Sequence, residues 1–160
     1  MANSDRPSGF RPKERVLREG IYVAGGTIYP GDAVTMNNAG KVVVATASQT
    51  LLGISAQYAV ADDNVKVWDH PDQKFVVQAD DGTTLAQTSV GLNFNIVATS
   101  GNTAYRRSRM ELDSSTGATN STLPLRLLGA STVEGNTIGE FAECVVVINN
   151  HQVRPGSEGL

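Results

Sequence analysis

The chain has 160 residues, with 13 Lys and Arg against 16 Asp and Glu, for a formal net charge of −3. That length suits one domain with a self-sufficient core. The near-neutral balance argues against general affinity for nucleic acid, and apolar runs of only four or five residues exclude a helical membrane span. A single cysteine, Cys144, excludes an intramolecular disulfide framework, and two histidines, His70 and His151, argue against a histidine-built metal centre. The opening MANSDRPSGFRPKER lacks the apolar stretch of a secretory signal. Val, Thr, Ser, Asn and Gly together make 71 of the 160 residues. That composition suits a pleated, turn-rich β fold and disfavours a helical bundle.

Residues 1–20 differ from the rest. Arg6, Arg11, Lys13, Arg15 and Arg18 outnumber Asp5, Glu14 and Glu19, while Pro7, Gly9 and Pro12 interrupt regular structure. Beyond Met1 and Ala2, only Phe10, Val16 and Leu17 are apolar, so the segment reads as an extended basic arm that a partner orders. The arm carries +2, which leaves −5 (−3 less +2) on the body. Deleting residues 2–20 is then expected to leave the body folded. The β-rich domain is placed at 21–152 and a polar tail at 153–160.

Short strands punctuated by turns follow. Ile21–Ala24 and Thr27–Tyr29 flank Gly25-Gly26, a two-residue hairpin signal. Pro30-Gly31-Asp32 turns the chain into Ala33–Met36, and Asn37–Gly40 into Lys41–Ala45. Leu51–Ala59 reads as a longer strand in which Gly53 marks a bulge or a close approach. Asn64–Trp68 alternates polar and apolar, so one face is buried. Phe75–Ala79 and Asn93–Val97 are further strands, and Thr83–Val90 is a short helix or a loop. Residues 98–121 read as a long surface excursion. Leu123–Leu128 and Phe141–Asn149 close the sheets, with Cys144–Ile148 as a core strand buried on both faces. The fold class is mainly β, a sandwich or barrel-like domain with an N-terminal arm.

Several strings resemble tailed-bacteriophage head proteins. Gly31-Asp32-Ala33-Val34, Gly40-Lys41-Val42 and Leu52-Gly53-Ile54-Ser55-Ala56 look like the opening of small β-structured members of that group. Trp68-Asp69-His70-Pro71-Asp72-Gln73, with Phe75–Gln78 and the closing Val145–Gln152, is similar to segments of capsid decoration, or cement, proteins. The resemblance implies a non-enzymatic virion protein on the outer capsid surface. Such a protein is often trimeric, bridges major capsid protein subunits, and uses no cofactor, nucleic acid or membrane. An alternative is a virion-displayed ligand- or carbohydrate-binding β module, for which Trp68 and the tyrosines would have to supply the stacking surface.

Residue by residue, chemistry gives way to turns and core. Asp69-His70-Pro71-Asp72 could hold a divalent cation, but Asx and proline chemistry makes a turn the stronger reading. Asp62-Asp63-Asn64 and Asp80-Asp81-Gly82 read as hairpin ends. Cys144 alternates with Ala142 and Val146 as a small core residue, which argues against a nucleophile. No nucleophile-elbow GxSxG occurs. Tyr105, Arg106, Arg107 and Arg109 form a basic aromatic loop of hot-spot composition. With Arg6, Phe10, Arg11, Arg15 and Arg18 of the arm they are the candidate partner-binding residues.

Overall fold

A computed structural model describes residues 3–160. Two antiparallel sheets share the main core. The first contains β1 (Arg11–Pro12), β7 (Lys74–Gln78), β8 (Asn93–Val97), β9 (Glu111–Ala118), β10 (Leu125–Ala130) and β11 (Glu143–Ile148), in the order β1-β7-β11-β10-β8-β9. The second contains β2 (Glu19–Val23), β3 (Ala33–Met36), β4 (Val42–Val44), β5 (Gly53–Ser55) and β6 (Asn64–Trp68), in the order β2-β6-β5-β3-β4. The second sheet curls until Ala24 and Val42 form one isolated bridge, but it does not close into a barrel. The arrangement is a sandwich.

The two sheets are buried differently, and strand patterning shows why. In β11 every second residue is buried, Cys144, Val146 and Ile148, while the residues between are half-buried. It therefore has one core face, not the two expected. The strands covered on both faces are β3, β5 and β7. Ala33 and Ile54 face the main core with Phe75, Phe94, Leu112 and Leu127. Val34 faces a second core inside the curl, with Ile28, Val42, Leu52, Val65 and Val67. Their short apolar runs cannot alternate because both faces exclude water.

Local turn chemistry is obeyed where the turn is self-contained. Asn37 Oδ1 accepts the Ala39 and Lys41 amides at 3.0 and 3.1 Å, with Gly40 at φ +71°, and β3 and β4 form the expected hairpin. Gly25-Gly26 does not make a hairpin. β2 pairs with β6, Ile21 opposite Lys66, and Ile28 bridges Ala59. Sealing the second core requires that long-range pairing, and it overrides a good local turn signal. Leu51–Ala59 is likewise not one strand: only Gly53–Ser55 joins the ladder. Thr83–Val90 contains a 3₁₀ turn at Gln87–Ser89.

Residues 98–121 are not wholly a surface excursion, because β9 runs through them. Leu112 is buried in the main core, and the Ser- and Thr-rich remainder bonds to neighbouring segments. Ser114 donates its amide and hydroxyl to Asp80 Oδ1 at 2.9 and 2.6 Å. The tail docks too. Arg126 donates to the Ser157 carbonyl at 3.0 Å, and the Leu160 amide donates to the Gly91 carbonyl at 3.0 Å.

The arm lies against its own body. Phe10 is 2% exposed and meets Phe75 edge-on, with centroids 6.4 Å apart. Arg11 and Pro12 pair with Val76 and Phe75, and the Lys13 amide donates to the Lys74 carbonyl at 2.9 Å. The arm therefore covers the free edge of β7, with Pro12 suited to that edge position. Removing residues 2–20 takes away Phe10 and the first two residues of β2, so the remaining body loses part of its core and an edge strand. One core aromatic and one long-range pairing are enough to order a segment that composition describes as unable to fold alone.

Candidate interaction surface

The expected partner-binding residues fall into three groups. Phe10 is core and unavailable to a partner. Arg11 donates to Glu143 Oε2 at 2.9 Å, and Arg18 lies 3.3 Å from Asp69 Oδ1, so both carry carboxylate partners within the chain. Arg6 and Arg15 have exposed side chains, as do Tyr105, Arg106, Arg107 and Arg109.

The basic loop is a built structure. The Asn102 and Arg107 backbones exchange hydrogen bonds at 2.7 and 3.2 Å, and Asn102 Oδ1 accepts the Ala104 and Tyr105 amides at 3.0 and 3.1 Å. Arg109 Nε donates to the Ser100 carbonyl at 2.8 Å. Arg106 takes φ +50°, and its guanidinium sits 4.5 Å above the Tyr58 ring, which in turn tilts against Tyr29 at 5.6 Å. Such a cation–π contact at an exposed site contributes about 0.5–1 kcal/mol. The loop thereby presents Tyr105, 76% exposed, at its tip.

The arm and the loop share a foundation. The Phe10 amide donates to the Gly31 carbonyl at 2.9 Å, and the Ser108 amide donates to the Pro30 carbonyl at 3.1 Å. Gly9, at φ +73°, packs so closely that an added Cβ would lie 2.4 Å from the Ser108 side chain. Beside this junction is an open groove of about 400 Å³ lined by Thr27, Tyr29, Asp32, Ser100 and Thr103. Asp32 accepts the Tyr29 amide at 2.9 Å. Burial raises its pKa, opposed by the Ser108 hydroxyl and the Tyr29 amide.

Asp69-His70-Pro71-Asp72 is a turn, closed by the Gln73 amide donating to the His70 carbonyl at 3.1 Å. Asp69 is buried and accepts the Tyr22 hydroxyl. Burial and then Asp69 push the Tyr22 phenol up to about 12. His151 is buried nearby, and burial lowers its pKa against the pull of Asp69. This polar junction was missed in the sequence, although a signal existed. Val65, Val67 and Asp69 share parity on β6 and its continuation, so Asp69 extends the buried row. Cys144 is a core thiol, pushed up to about 12 by burial and then by Glu143.

A second electrostatic feature involves the arm. Glu111 is raised from the usual 4.5 to about 7, first by burial and then by Asp5, Asp80 and Asp81. A carboxyl whose folded pKa lies above its unfolded value contributes stability below pH 4.5, and that contribution is lost as pH rises through 7. Glu111→Gln should therefore stabilise the protein near pH 8 by on the order of 1 kcal/mol, after allowance for solvent screening, and much less near pH 4. Urea midpoints at the two pH values test this. An equal gain at both would overturn it.

No protein-family model matches this chain, and no curated protein matches it significantly.

Proposed function

We propose that this chain is a structural virion protein that binds the outer surface of a phage head and stabilises it by bridging major capsid protein subunits, acting as a homo-oligomer and not as an enzyme. The sequence strings similar to decoration proteins support that reading. The observation that carries it is the anchored loop. Tyr105 and Arg107 project from a loop whose conformation is held by Asn102 and by the contacts of Arg106 with Tyr58 and Arg109 with Ser100, so little ordering is required on docking. Arg and Tyr in that setting are the residues on which protein interfaces concentrate their binding energy. Arg6 and Arg15, the exposed arm arginines without an ion pair among the described residues, are further candidates for pairing with capsid carboxylates.

Co-sedimentation with heads assembled without this protein tests the reading. Tyr105→Ala with Arg107→Ala should weaken binding by about 30-fold, equivalent to about 2 kcal/mol, without changing the thermal midpoint. Failure of the unaltered protein to bind such heads overturns the proposal. Full-strength binding by the double variant removes the loop from it.

A ligand-binding reading has one observation in its favour, the groove lined by hydroxyls, Tyr29 and Asp32. Trp68 is half-buried and packs against the main core. Glycan-array binding abolished by Tyr29→Ala would favour this second reading.

A further inference from the structure

The chain has two histidines, and the fold brings both to one junction. His70 stands in the turn after β6 and His151 in the turn after β11. Arg154 of the second turn pairs with Asp72 of the first at 2.5 Å. The two rings are held alike. His70 Nδ1 accepts the Asp72 amide at 3.0 Å, and His151 Nδ1 accepts the Val153 amide at 3.1 Å. A ring that accepts at Nδ1 is neutral and carries its hydrogen on Nε2, because a protonated imidazole has two donors and no acceptor. In both turns the imidazole takes the place of the side chain of an Asx turn, but a proton can switch this acceptor off.

His151 is the more constrained of the two. It is 2% exposed, whereas His70 is half-buried, and its Nε2 is buried without a hydrogen-bond partner. Burial disfavours a positive ring there, as do Arg154 and His70. Asp69 favours one, but its carboxylate already faces the Tyr22 hydroxyl and Arg18, and Asp72 is engaged by Arg154. The same turn ties the C-terminal segment to the sandwich. The His151 amide donates to the Arg154 carbonyl at 3.1 Å, and the Gln152 amide to the Leu51 carbonyl at 2.8 Å. The Gln152 side chain accepts the Met36 amide at 2.8 Å and donates to the Met36 carbonyl at 3.1 Å.

We infer that residues 70–72 and 151–154 form an acid-sensitive latch, which holds the C-terminal segment against β3 and loosens when His151 takes up a proton. A proton on Nδ1 removes the acceptor of the Val153 amide and sets one N–H against another. It also places a buried cation beside Arg154. Opening relieves both, since ring and amide then reach solvent. Burial lowers the His151 pKa below its ordinary 6.5, so the closed turn is fully favoured above pH 6.5 and is progressively lost as pH falls below it. The opening is local. The bonds from Arg126 to Ser157 and from Leu160 to Gly91 involve no imidazole and persist. The latch is independent of head binding.

Amide exchange followed by NMR, corrected for the intrinsic rate at each pH, gives the test. One proton taken up on opening, by a ring of ordinary pKa 6.5, raises the open population up to about tenfold between pH 7.5 and pH 5.5. Protection of the Val153 amide should fall by that factor. The Ala39 amide, held in the same two-residue geometry by Asn37 Oδ1 at 3.0 Å, has an acceptor that does not titrate and should keep its protection. His151→Asn offers the Val153 amide a similar oxygen acceptor and should make its profile flat. A flat Val153 profile in the unaltered protein overturns the inference, as does a parallel fall at Ala39, which would mean global unfolding. A fall that persists in His151→Asn assigns the proton to another group and overturns it as well. If that variant does not fold, the comparison of Val153 with Ala39 in the unaltered protein decides alone.

Discussion

Phe10→Ala lowers the stability of the whole protein by about 3–5 kcal/mol, the range for truncating a buried aromatic, and lowers the thermal midpoint by roughly 10 °C. The ring is 2% exposed and edge-on to Phe75, itself fully buried in the main core. The ion pair between Arg11 and Glu143 joins an exposed guanidinium to a half-buried carboxylate open to solvent and contributes about 0–1 kcal/mol, so apolar burial decides where the arm lies. Hydrogen exchange should show the consequence locally. The Phe10 and Lys13 amides, bonded to Gly31 and Lys74, should lose protection in Phe10→Ala and keep it in Arg11→Ala. A midpoint shift below about 2 °C in Phe10→Ala would mean that the arm does not belong to the core.

Gly53→Ala costs about 3 kcal/mol, at the upper end of overpacking substitutions, although it adds a single methyl group. A Cβ at Gly53 would sit 2.2 Å from the Trp68 carbonyl oxygen and 2.9 Å from Val67 Cγ1. The nearest obstacle is backbone, which cannot rotate away. β5 would have to separate from β6, where Ile54 pairs with Trp68 and Ser55 with Val67. Because β5 lies between the two cores, the displacement is felt in both. Denaturant midpoints should fall with little change in slope. Gly26→Ala, where nothing lies within 4 Å of the added Cβ, is the control and should change little. Equal stability of the two variants would overturn the close-approach reading.

The two substitutions separate what was legible from what was not. Gly53 as a point of close approach could be read from a glycine inside an apolar strand pattern. The obstacle, Trp68, could not, because it arrives by a long-range pairing. β3, β6 and β8 match their expected spans because turn chemistry or strict alternation bounds them locally. The double burial expected of Cys144–Ile148 belongs instead to β3, β5 and β7. A run of valines looks alike whether one face or two are covered. β9 escaped notice because its apolar signal is essentially Leu112, set among serines and threonines that bond to Asp80 and Asp113.

The candidate surface divides in the same way. The hot-spot character of Tyr105, Arg106, Arg107 and Arg109 is a property of residue types and was readable from them. That Arg106 stacks on Tyr58, and that Ser108 stands on the same foundation as Phe10, depends on segments far apart in the chain.

Composition, alternation and turn residues determined by themselves that this chain is mainly β with a buried Cys144, because those features act through nearest neighbours. Tertiary structure alone decided that the basic arm closes its own sheet. That depends on which distant strand arrives first at a given backbone edge, and local sequence does not encode that choice.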